Sequence, residues 1–557
     1  RTNVNGALAL TYDIPGVEGL NARAFYSYDY NAQNNTLHQR TYNLYNRQDD
    51  GTLQQFVRNS PGSLERRTEL GHSTVMQLSL NYAKKFGDHN VDGMILYEEQ
   101  YGFWDSFYAR RNMFFDSDYL FAGDEEGQIG GMGSVGDNAR KALVGKANYD
   151  YKSKYIIDYS FRYDGSSRFP KGSRWGLFQS ISAGWRISEE LFMKDRFPFL
   201  TNMMLRASIG RLGDDGSAGN YPSTIVGYNL TSDRGWFYNN VFMSSVNPTA
   251  IPNPNLTWYT ANTENIGVDI NLWNQKLTAT VEAFRRTRDG LLRTPEVQLP
   301  GTVGANMPQQ NIESDRTFGW EVSIGHRNRL QDLNYWINGQ ISATKNRWIY
   351  RLDSQAGNSM ENWYRQDVSG RNRDIWFAIQ EEGRFTSLDQ IRNQHSTTGG
   401  NFNQGSLPGD YYYLDWNADG VVNDQDRFPV ATYNLPTFNY GINGGIAWRN
   451  IDLSMNWQGS AGVYNQYDEV FTEVGPFNGG AVLNLYTDRW HTENVWDDPW
   501  STDTKWIEGY YPATGRPFNT GTTGIKNTSY IRLKTLEVGY SIPKTWLSRV
   551  NVNDLRV

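Results

Sequence analysis

Alternation of apolar and polar residues with a period of two runs through most of the chain, and it restricts the chain to a β fold. In one segment Tyr155, Ile157, Tyr159, Phe161 and Tyr163 would share one strand face, and Asp158, Ser160, Arg162 and Asp164 the other. The pattern recurs at 20–29, 277–283 and 451–458. A soluble β-sandwich could produce the same alternation, because its sheets also have one solvent-exposed face. Strands of roughly ten residues, however, suit a tilted bilayer crossing better than the usual five or six.

The connections between these strands are of two kinds. Some are tight, as at 152–154, 273–276 and 449–450. The others are long polar stretches at about 105–140, 213–260, 289–317, 347–410 and 460–530. Short turns at one end and long loops at the other are typical of outer-membrane barrels, and we count on the order of 16 strands. No repeat of 20–50 residues is evident, which disfavours a propeller or a solenoid.

The composition is compatible with a membrane barrel. The chain has 557 residues, of which 38% are hydrophobic and 14% aromatic, and no run of about 18 apolar residues could form a membrane-spanning helix. A barrel needs apolar residues only at every second strand position. The aromatic residues fit interfacial girdles, and they fit sugar-stacking platforms equally well.

Other features exclude whole classes of function. The chain has no cysteine, which excludes disulfides, zinc–thiolate sites and thiol nucleophiles. Its net charge of −7 is spread without a basic tract, so no nucleic-acid partner is expected. The sequence begins at Arg1 without methionine or a signal peptide, as a mature or trimmed product would.

Six segments, in order along the chain, share the pattern of one transporter family. They read KKFGDHNV at 84–91, FRYDGSSRFPKGSRWGLFQSISAGWRISEE at 161–190, LRASIGRLGDDG at 205–216, NPNLTWYTANTENIGVDINLWNQKLTATVEAFRRTRDGLL at 253–292, YLDWNADGVVNDQDR at 413–427 and YIRLKTLEVGYSIPKTWL at 530–547. They resemble the SusC/RagA-type branch of the TonB-dependent outer-membrane transporters. The strongest match is the second segment, which follows the family's RYDGSSRF…RWG…SEE stretch.

This resemblance implies an all-β transmembrane antiparallel barrel, 22-stranded in the family, in the outer membrane of a bacterium of the Bacteroidota. Family members also carry an N-terminal plug with a TonB box, through which the TonB–ExbB–ExbD complex acts, and they pair with a SusD-like surface lipoprotein. No plug-like region precedes Arg1, and the family continues for about two strands beyond the segment at 553–557. An open sheet edge in lipid is costly. Residues 1–557 are therefore expected to be an incomplete barrel domain.

One loop matches a calcium-binding pattern. Its candidate ligands are Asp415, Asn417, Asp419, the carbonyl of Val421 and Asp426, with Gly420 at the sharp turn. Asp426 occupies the last position, where a longer glutamate is usual. The alternative is an Asx-rich turn whose side chains cap their own backbone amides. No other cofactor is expected.

No catalytic constellation is present, so an enzyme is not expected. The six histidines are scattered, and Glu98 and Glu99 would point to opposite faces of a strand. The sequence GMGSVG at 131–136 spells G-x-G-x-x-G, but an acidic glycine-rich stretch precedes it and a strand follows. It is interpreted as a flexible loop.

Aromatic residues in the predicted loops are candidates for contact with a ligand or with the lid lipoprotein. They are Trp236, Tyr238, Tyr411, Tyr412, Trp496 and Trp500. Packing within the loops is the alternative for each of them.

The leading functional hypothesis is TonB-dependent import of a large nutrient, either an oligosaccharide or a peptide. The rivals are a passive porin and a surface assembly component with the same barrel. A soluble glycan-binding protein is opposed by the loop asymmetry and by the family segments.

Overall fold

Strands dominate the computed structural model, which describes residues 1–48, 50–216, 218, 228–248, 251–295, 307–352, 369–394, 396–397, 403, 405–432, 435–466, 484–513, 521–547 and 555–557. The first strands are β1 Thr2–Asp13, β2 Leu20–Gln39, β3 Tyr42–Arg47, β4 Leu53–Arg58, β5 Gly62–Phe86, β6 His89–Met113, β7 Ile129–Tyr151, β8 Tyr155–Ser166, β9 Trp175–Arg186, β10 Leu200–Asp214, β11 Tyr228–Tyr238, β12 Val241–Pro248, β13 Tyr259–Leu272 and β14 Leu277–Arg293.

The later strands are β15 Gln310–Leu330, β16 Leu333–Tyr350, β17 Ile375–Ala378, β18 Glu381–Arg384, β19 Ser396–Thr397, β20 Tyr411–Tyr413, β21 Val421–Val422, β22 Phe428–Thr432, β23 Phe438–Trp448, β24 Ile451–Ala461, β25 Tyr464–Gln466, β26 His491–Thr492, β27 Trp506–Ile507, β28 Ile525–Asn527 and β29 Tyr530–Tyr540. The described helices are short: α1 Leu191–Arg196, α2 Leu388–Asn393 and α3 Lys544–Leu547. None of them is long and apolar enough to cross a membrane.

The chain forms two compact units. The first comprises Arg1–Trp185, Ser208–Asn262 and Gly290–Asn311, and the second comprises Arg186–Ala207, Thr263–Asp289 and Ile312–Val557. In the first unit the large sheet runs in the order β1-β2-β5-β6-β7-β8-β9. In the second it runs β13-β14-β15-β16-β23-β24-β29. The strand β10 lies next to β9 in this order, and β9, β10, β13, β14 and β15 each have residues in both units. The large sheet thus has fifteen described strands, close to the predicted number.

The first unit exposes its apolar strand face and shields its polar one. On β8 the side chains of Tyr155 and Ile157 are exposed. Asp158, on the other face, is half-buried and accepts a 2.5 Å hydrogen bond from the amide of Asn148. Such an arrangement is the reverse of a soluble sheet, because large exposed apolar surfaces are unfavourable in water. It suits a sheet whose outer face contacts lipid.

The second unit has the same polarity. Ile442 and Ile446 on β23 are exposed, as are Ile451 and Met455 on β24. The opposite face carries Asn443, which pairs in register with an asparagine of β24 and accepts a hydrogen bond of 3.0 Å from the amide of Asn338. The strand predicted at 451–458 is present, and Ile451 and Met455 lie on its exposed face as the alternation predicts.

The tight connections fall where the sequence predicted them. Residues 152–154 join β7 to β8, 273–276 join β13 to β14, and 449–450 join β23 to β24. Several turn residues adopt positive φ, including Lys152 at 56° and Arg449 at 52°. Hydrogen bonds between neighbouring turns, such as Lys152 N–H to the Asp88 carbonyl at 2.8 Å, place turns of the same unit side by side. Each unit thus has a short-turn end and a long-loop end.

Several strands are much longer than the ten residues expected. β5 and β6 have 25 residues each and β7 has 23, whereas about 10 tilted residues cross a bilayer. The predicted loop at 105–140 is therefore wrong in its bounds, since the described irregular segment covers only 114–128. These strands therefore stay paired over many more residues than a bilayer crossing requires.

The loops predicted at 213–260 and 460–530 agree with the strand ends within about two residues. The loop predicted at 289–317 is too long, because β14 extends to Arg293 and β15 begins at Gln310. The loop predicted at 347–410 ends too early, because the next strand of the large sheet, β23, begins at Phe438. Parts of all four loops lie outside the described residues.

The glycine-rich stretch at 131–136 is not the flexible loop that was predicted. It lies on β7 and pairs with β6. A Cβ atom at Gly136 would lie 2.4 Å from the indole of Trp104, and one at Gly133 would lie 2.4 Å from the hydroxyl of Ser106. The glycines let these side chains cross the strand, a close approach that the motif alone does not reveal.

Candidate functional site

The long-loop end of the second unit carries a small folded module. Its strand pairs are β17–β22, β18–β20 and the parallel pair β19–β21. One buried cluster contains Ile379, Tyr413 and Val422. Another contains Phe385, Leu388 and Ile391, the last two on α2. These apolar contacts give the loop a core of its own.

Two of the candidate contact residues help to build this module. Tyr412 packs against Phe385, with ring centroids 5.4 Å apart. Tyr411 packs against the first cluster, and its hydroxyl lies 2.9 Å from a guanidinium nitrogen of Arg384, whose charge lies 4.7 Å from the ring centroid. Both tyrosines are half-buried. Both tyrosines thus pack within the module, and their contact with a ligand or a lid stays a prediction.

Trp496 is placed very differently. Its side chain is 91% exposed on the turn between β26 and β27. The turn is well bonded: Trp496 N–H donates to the Asn494 side chain at 3.4 Å, Asp497 N–H donates to the Asn494 carbonyl at 3.0 Å, and Ser501 N–H donates to the Asp498 carbonyl at 3.1 Å. Trp500, on the same turn, is 48% exposed. An ordered turn thus presents a large aromatic surface to solvent.

Trp236 and Tyr238 lie on a third element, the β11–β12 hairpin of the first unit. Trp236 pairs in register with Met243. The side chains of Trp236 and Tyr238 are both exposed. The six candidate contact residues therefore belong to three separate substructures. Trp236, Tyr238, Trp496 and Trp500 remain accessible to a ligand or a partner.

The predicted calcium loop is an ordered turn within the module. The carboxylate of Asp415 accepts N–H bonds from Asp419 at 3.2 Å and Gly420 at 2.7 Å. The side-chain oxygen of Asn417 accepts from Asp419 N–H at 3.0 Å, and Asp419 accepts from Val421 N–H at 2.9 Å. These contacts are those of an Asx-rich turn, in which side-chain oxygens accept nearby backbone N–H bonds.

Asp426, the last of the candidate ligands, holds the loop through backbone hydrogen bonds. It is fully buried, and its carboxylate accepts backbone N–H bonds from Trp416, Asn417 and Asn423 at 2.8, 3.2 and 2.7 Å. Burial raises the pKa of the Asp426 carboxyl above its usual range, and the three N–H bonds act in the opposite direction. Among the described residues no group of three or more His, Cys, Asp or Glu side chains is placed to hold a metal. Calcium binding here stays a prediction.

Replacing Asp415 and Asp419 together by alanine tests this loop. If calcium occupies it, the double variant should lose thermal stability relative to the parent only when calcium is present, because the hard oxygen ligands are then missing. Thermal unfolding with calcium and with a chelator measures this. If calcium changed the thermal stability of the two proteins equally, the loop would be a turn that binds no calcium.

Sequence reasoning missed a buried carboxylate in the second unit. Asp315 on β15 is fully buried and accepts hydrogen bonds from Arg288 Nε at 2.7 Å and Arg373 Nη1 at 2.9 Å. The Arg373 guanidinium also lies 5.2 Å from the ring centroid of Trp348. The three charged residues come from β14, β15 and the segment before β17. They join the loop module to two long strands.

A second missed network lies in the first unit and unites two of the family-like segments. The buried Asp215 carboxylate accepts from Arg140 Nε at 3.1 Å and from the Ser166 hydroxyl at 2.5 Å. Its backbone carbonyl accepts from Arg168 Nη1 at 3.0 Å. The nearby cluster of Phe169, Phe178, Ala218, Leu256 and Trp258 is the apolar core at this loop end. The motifs at 161–190 and 205–216 thus contain the residues that hold this end of the sheet together.

Along the long strands of the second unit, the polar face carries many uncharged amides and hydroxyls. A cavity of about 550 Å³ is lined by side chains from β14, β15, β16, β23 and β24. Its polar residues include Ser323, Gln340, Asn439, Asn456 and Gln458. Amides and hydroxyls offer both donors and acceptors to a hydrated solute.

The chain is similar to known receptor proteins. The family model described as TonB dependent receptor-like, beta-barrel matches residues 2–374, more than half of the chain. TonB-dependent receptor P26 of Formosa agariphila is 27% identical over 412 residues, covering 72% of this chain and 39% of the relative. TonB-dependent receptor SusC of Bacteroides thetaiotaomicron is 23% identical over 415 residues, covering 73% of this chain and 38% of SusC. The chain thus spans about two fifths of the length of these relatives.

Solved structures agree on the fold. The RagAB peptide importer in its open-open state matches with a TM-score of 0.72 at 18% identity, covering 100% of this chain and 56% of that one. The predicted all-β antiparallel barrel fold is confirmed, and the matched family is one of receptors and transporters rather than enzymes. The chain belongs to the TonB-dependent receptor-like β-barrel family, and its predicted resemblance to the SusC-like members is confirmed.

Proposed function

We propose that the protein containing this chain is an outer-membrane importer that takes up a large nutrient, an oligosaccharide or a peptide, with energy supplied through TonB–ExbB–ExbD. The family match carries this proposal. The polarity of the sheet supports it, because an exposed apolar face suits contact with membrane lipid and the amide-rich face suits a hydrated solute. RagAB, which shares the fold, is described as a peptide importer.

A SusD-like surface lipoprotein is the proposed partner at the long-loop end. The supporting observation is the exposed Trp496 on an ordered turn, since tryptophan is enriched among the residues that dominate binding energy at interfaces. Trp236, Tyr238 and Trp500 are the other accessible candidates for contact with this lid or with the nutrient. A large flexible solute enclosed between two proteins can be captured from dilute solution.

A passive channel and a surface assembly component are the alternatives. Dependence of uptake on TonB distinguishes the importer from both alternatives. In cells that carry the full-length protein, deletion of TonB should abolish uptake of labelled oligosaccharides or peptides too large for general porins. Surface binding of the same solutes should persist, because capture requires no energy.

The matched control is the same strain without the full-length protein, which should show neither binding nor uptake. Unchanged uptake without TonB would favour the passive channel. Purification from native membranes without any co-eluting lipoprotein would contradict the proposed lid.

A further inference from the structure

A half-buried histidine lies between two carboxylates at the long-loop end of the first unit. His38 is the last residue but one of β2, and its side chain is 14% exposed. Its imidazole Nε2 lies 3.4 Å from a carboxylate oxygen of Asp116, and its Nδ1 lies 3.8 Å from one of Asp118. Both aspartates belong to the irregular segment 114–128 between β6 and β7. The histidine thus links this segment to the end of β2.

The charge of this imidazole decides whether both contacts are favourable. A neutral imidazole has one N–H and one lone pair, whereas an imidazolium has two N–H donors. In the neutral ring of His38 one nitrogen therefore points its lone pair at a carboxylate, whichever tautomer is present. The buried Nδ1 atom has no hydrogen-bond partner among the described residues. Uptake of a proton converts both contacts into ion pairs.

Two arginines contact the same aspartates from β5 and from the end of β2. The Nε atom of Arg40, two positions beyond His38, lies 3.2 Å from the Asp116 carboxylate. Arg66 of β5 donates from Nη2 to the Asp118 carbonyl at 3.2 Å. Guanidinium groups stay charged in proteins. These contacts therefore hold the segment beside His38 without changing with pH.

The other charged groups around this contact are also bonded. Arg111 of β6 donates to the carbonyls of Phe121 and Gly123 at 3.2 and 3.3 Å, and its guanidinium lies 3.7 Å from Glu125. Among the residue types that surround the contact, only histidine ordinarily changes charge between about pH 5 and 8. The remaining charged residues of these elements near His38 are Glu65 and Arg67, which pair with each other, and Asp124 and Glu126 of the segment.

The segment that contacts His38 is rich in exposed aromatic residues. Phe114, Phe115, Tyr119 and Phe121 are each between 61% and 78% exposed. The rings of Tyr119 and Phe121 lie 5.6 Å apart. Contiguous exposed apolar surface of this kind marks interaction sites on proteins. Contacts that fix the segment therefore decide where this aromatic surface is presented.

We infer that His38 is an acid-sensitive latch, which in its protonated form fixes the aromatic segment 114–128 against the end of β2. Proton uptake places an N–H donor opposite each aspartate, and proton loss removes one of the two donors. The stabilisation is therefore fully present at the acidic end of the range in which histidines titrate, and it is lost as the pH rises through that range. The segment is held in mildly acidic surroundings and released more readily in neutral ones. This latch goes beyond the import function, because it requires neither TonB nor a transported solute.

Electron paramagnetic resonance of a spin label on the segment tests the latch in the purified full-length protein in detergent. Phe121→Cys provides the attachment site, because this side chain is 78% exposed, and the protein without this cysteine gives the background. Aspartates stay ionised at both about pH 5.5 and about pH 8, so the change acts mainly on histidine. The ratio of immobile to mobile label should be about fivefold higher at the lower pH, since each partly exposed ion pair contributes about a factor of two.

His38→Gln should abolish this pH response, because glutamine keeps hydrogen-bonding groups but takes up no proton. Replacing Asp116 and Asp118 together by asparagine should abolish it as well, by removing both counter-charges. Glu126→Gln is the matched control, since it removes a carboxylate from an exposed position of the same segment. It should leave the fivefold response unchanged.

Equal label mobility at the two pH values in the protein with His38 intact would overturn the latch, and so would a full response in His38→Gln. Loss of the response in Glu126→Gln would show a diffuse charge effect and would also overturn it. Heat-modifiable migration on denaturing gels verifies that each variant keeps its barrel. The histidine and aspartate variants change opposite sides of one contact, so either one that folds decides the outcome.

Discussion

Asp315→Ala is expected to destabilise the protein by about 3–5 kcal/mol, the usual cost of removing one partner from a buried ion pair. The carboxylate is fully buried and is shared by Arg288 and Arg373. Its loss removes the carboxylate that the two guanidinium groups share. Thermal unfolding in detergent should show a lower midpoint, and protease should cut the loop module more readily.

The matched control for this variant is Asp332→Ala. Asp332 also pairs with an arginine, at 3.5 Å, but both side chains are more than 60% exposed, and exposed pairs contribute little. Its unfolding midpoint should stay at the parent value. Similar midpoints for the two variants would show that the buried network does not hold the module to the strands.

Leu80→Arg should cost about 2–4 kcal/mol, as charged residues do near the middle of a lipid-facing strand. Leu80 lies on the exposed apolar face of β5, six residues from Phe86 at the end of the strand, and pairs in register with Ile95 of β6. An arginine there would face hydrocarbon. The expected result is a large drop in the folded, heat-modifiable fraction recovered in lipid vesicles.

Leu53→Arg provides the control for the same chemical change. Leu53 is at least as exposed as Leu80 but lies on the β3–β4 hairpin at the long-loop end. Water rather than lipid surrounds that hairpin in the proposed membrane orientation, so the folded fraction should not fall. Equal tolerance of both substitutions would mean that the apolar face of β5 does not contact lipid.

Local sequence patterns predicted the strands and turns because both depend on neighbouring residues. The period of two around Tyr155 placed its alternate side chains on the faces that the structure shows. The turn at 152–154 could be located because it interrupts that alternation. The resemblance to the SusC-like branch required only short motifs in a fixed order, and it too was confirmed.

Features that depend on distant pairing could not be predicted in this way. Arg373 reaches Asp315 across 58 positions, through a loop whose length alone says nothing about its packing. The extension of β6 to Met113 depends on pairing with β5 and β7, not on its own polarity pattern. The packing role of Tyr412 likewise depends on α2, which is formed by residues 388–393.

Site-directed labelling in intact cells tests most directly whether this chain is an outer-membrane barrel with its long loops outside. Residues 1–557 contain no cysteine, so a cysteine introduced among them is the one thiol of this part of the protein. Val495→Cys places a thiol on the exposed turn beside Trp496, and Ser153→Cys places one in a short turn. A membrane-impermeant maleimide should label Val495→Cys in intact cells, and it should label Ser153→Cys only after the outer membrane is permeabilised. Equal labelling of both positions in intact cells, or labelling of Ser153→Cys alone, would contradict the account.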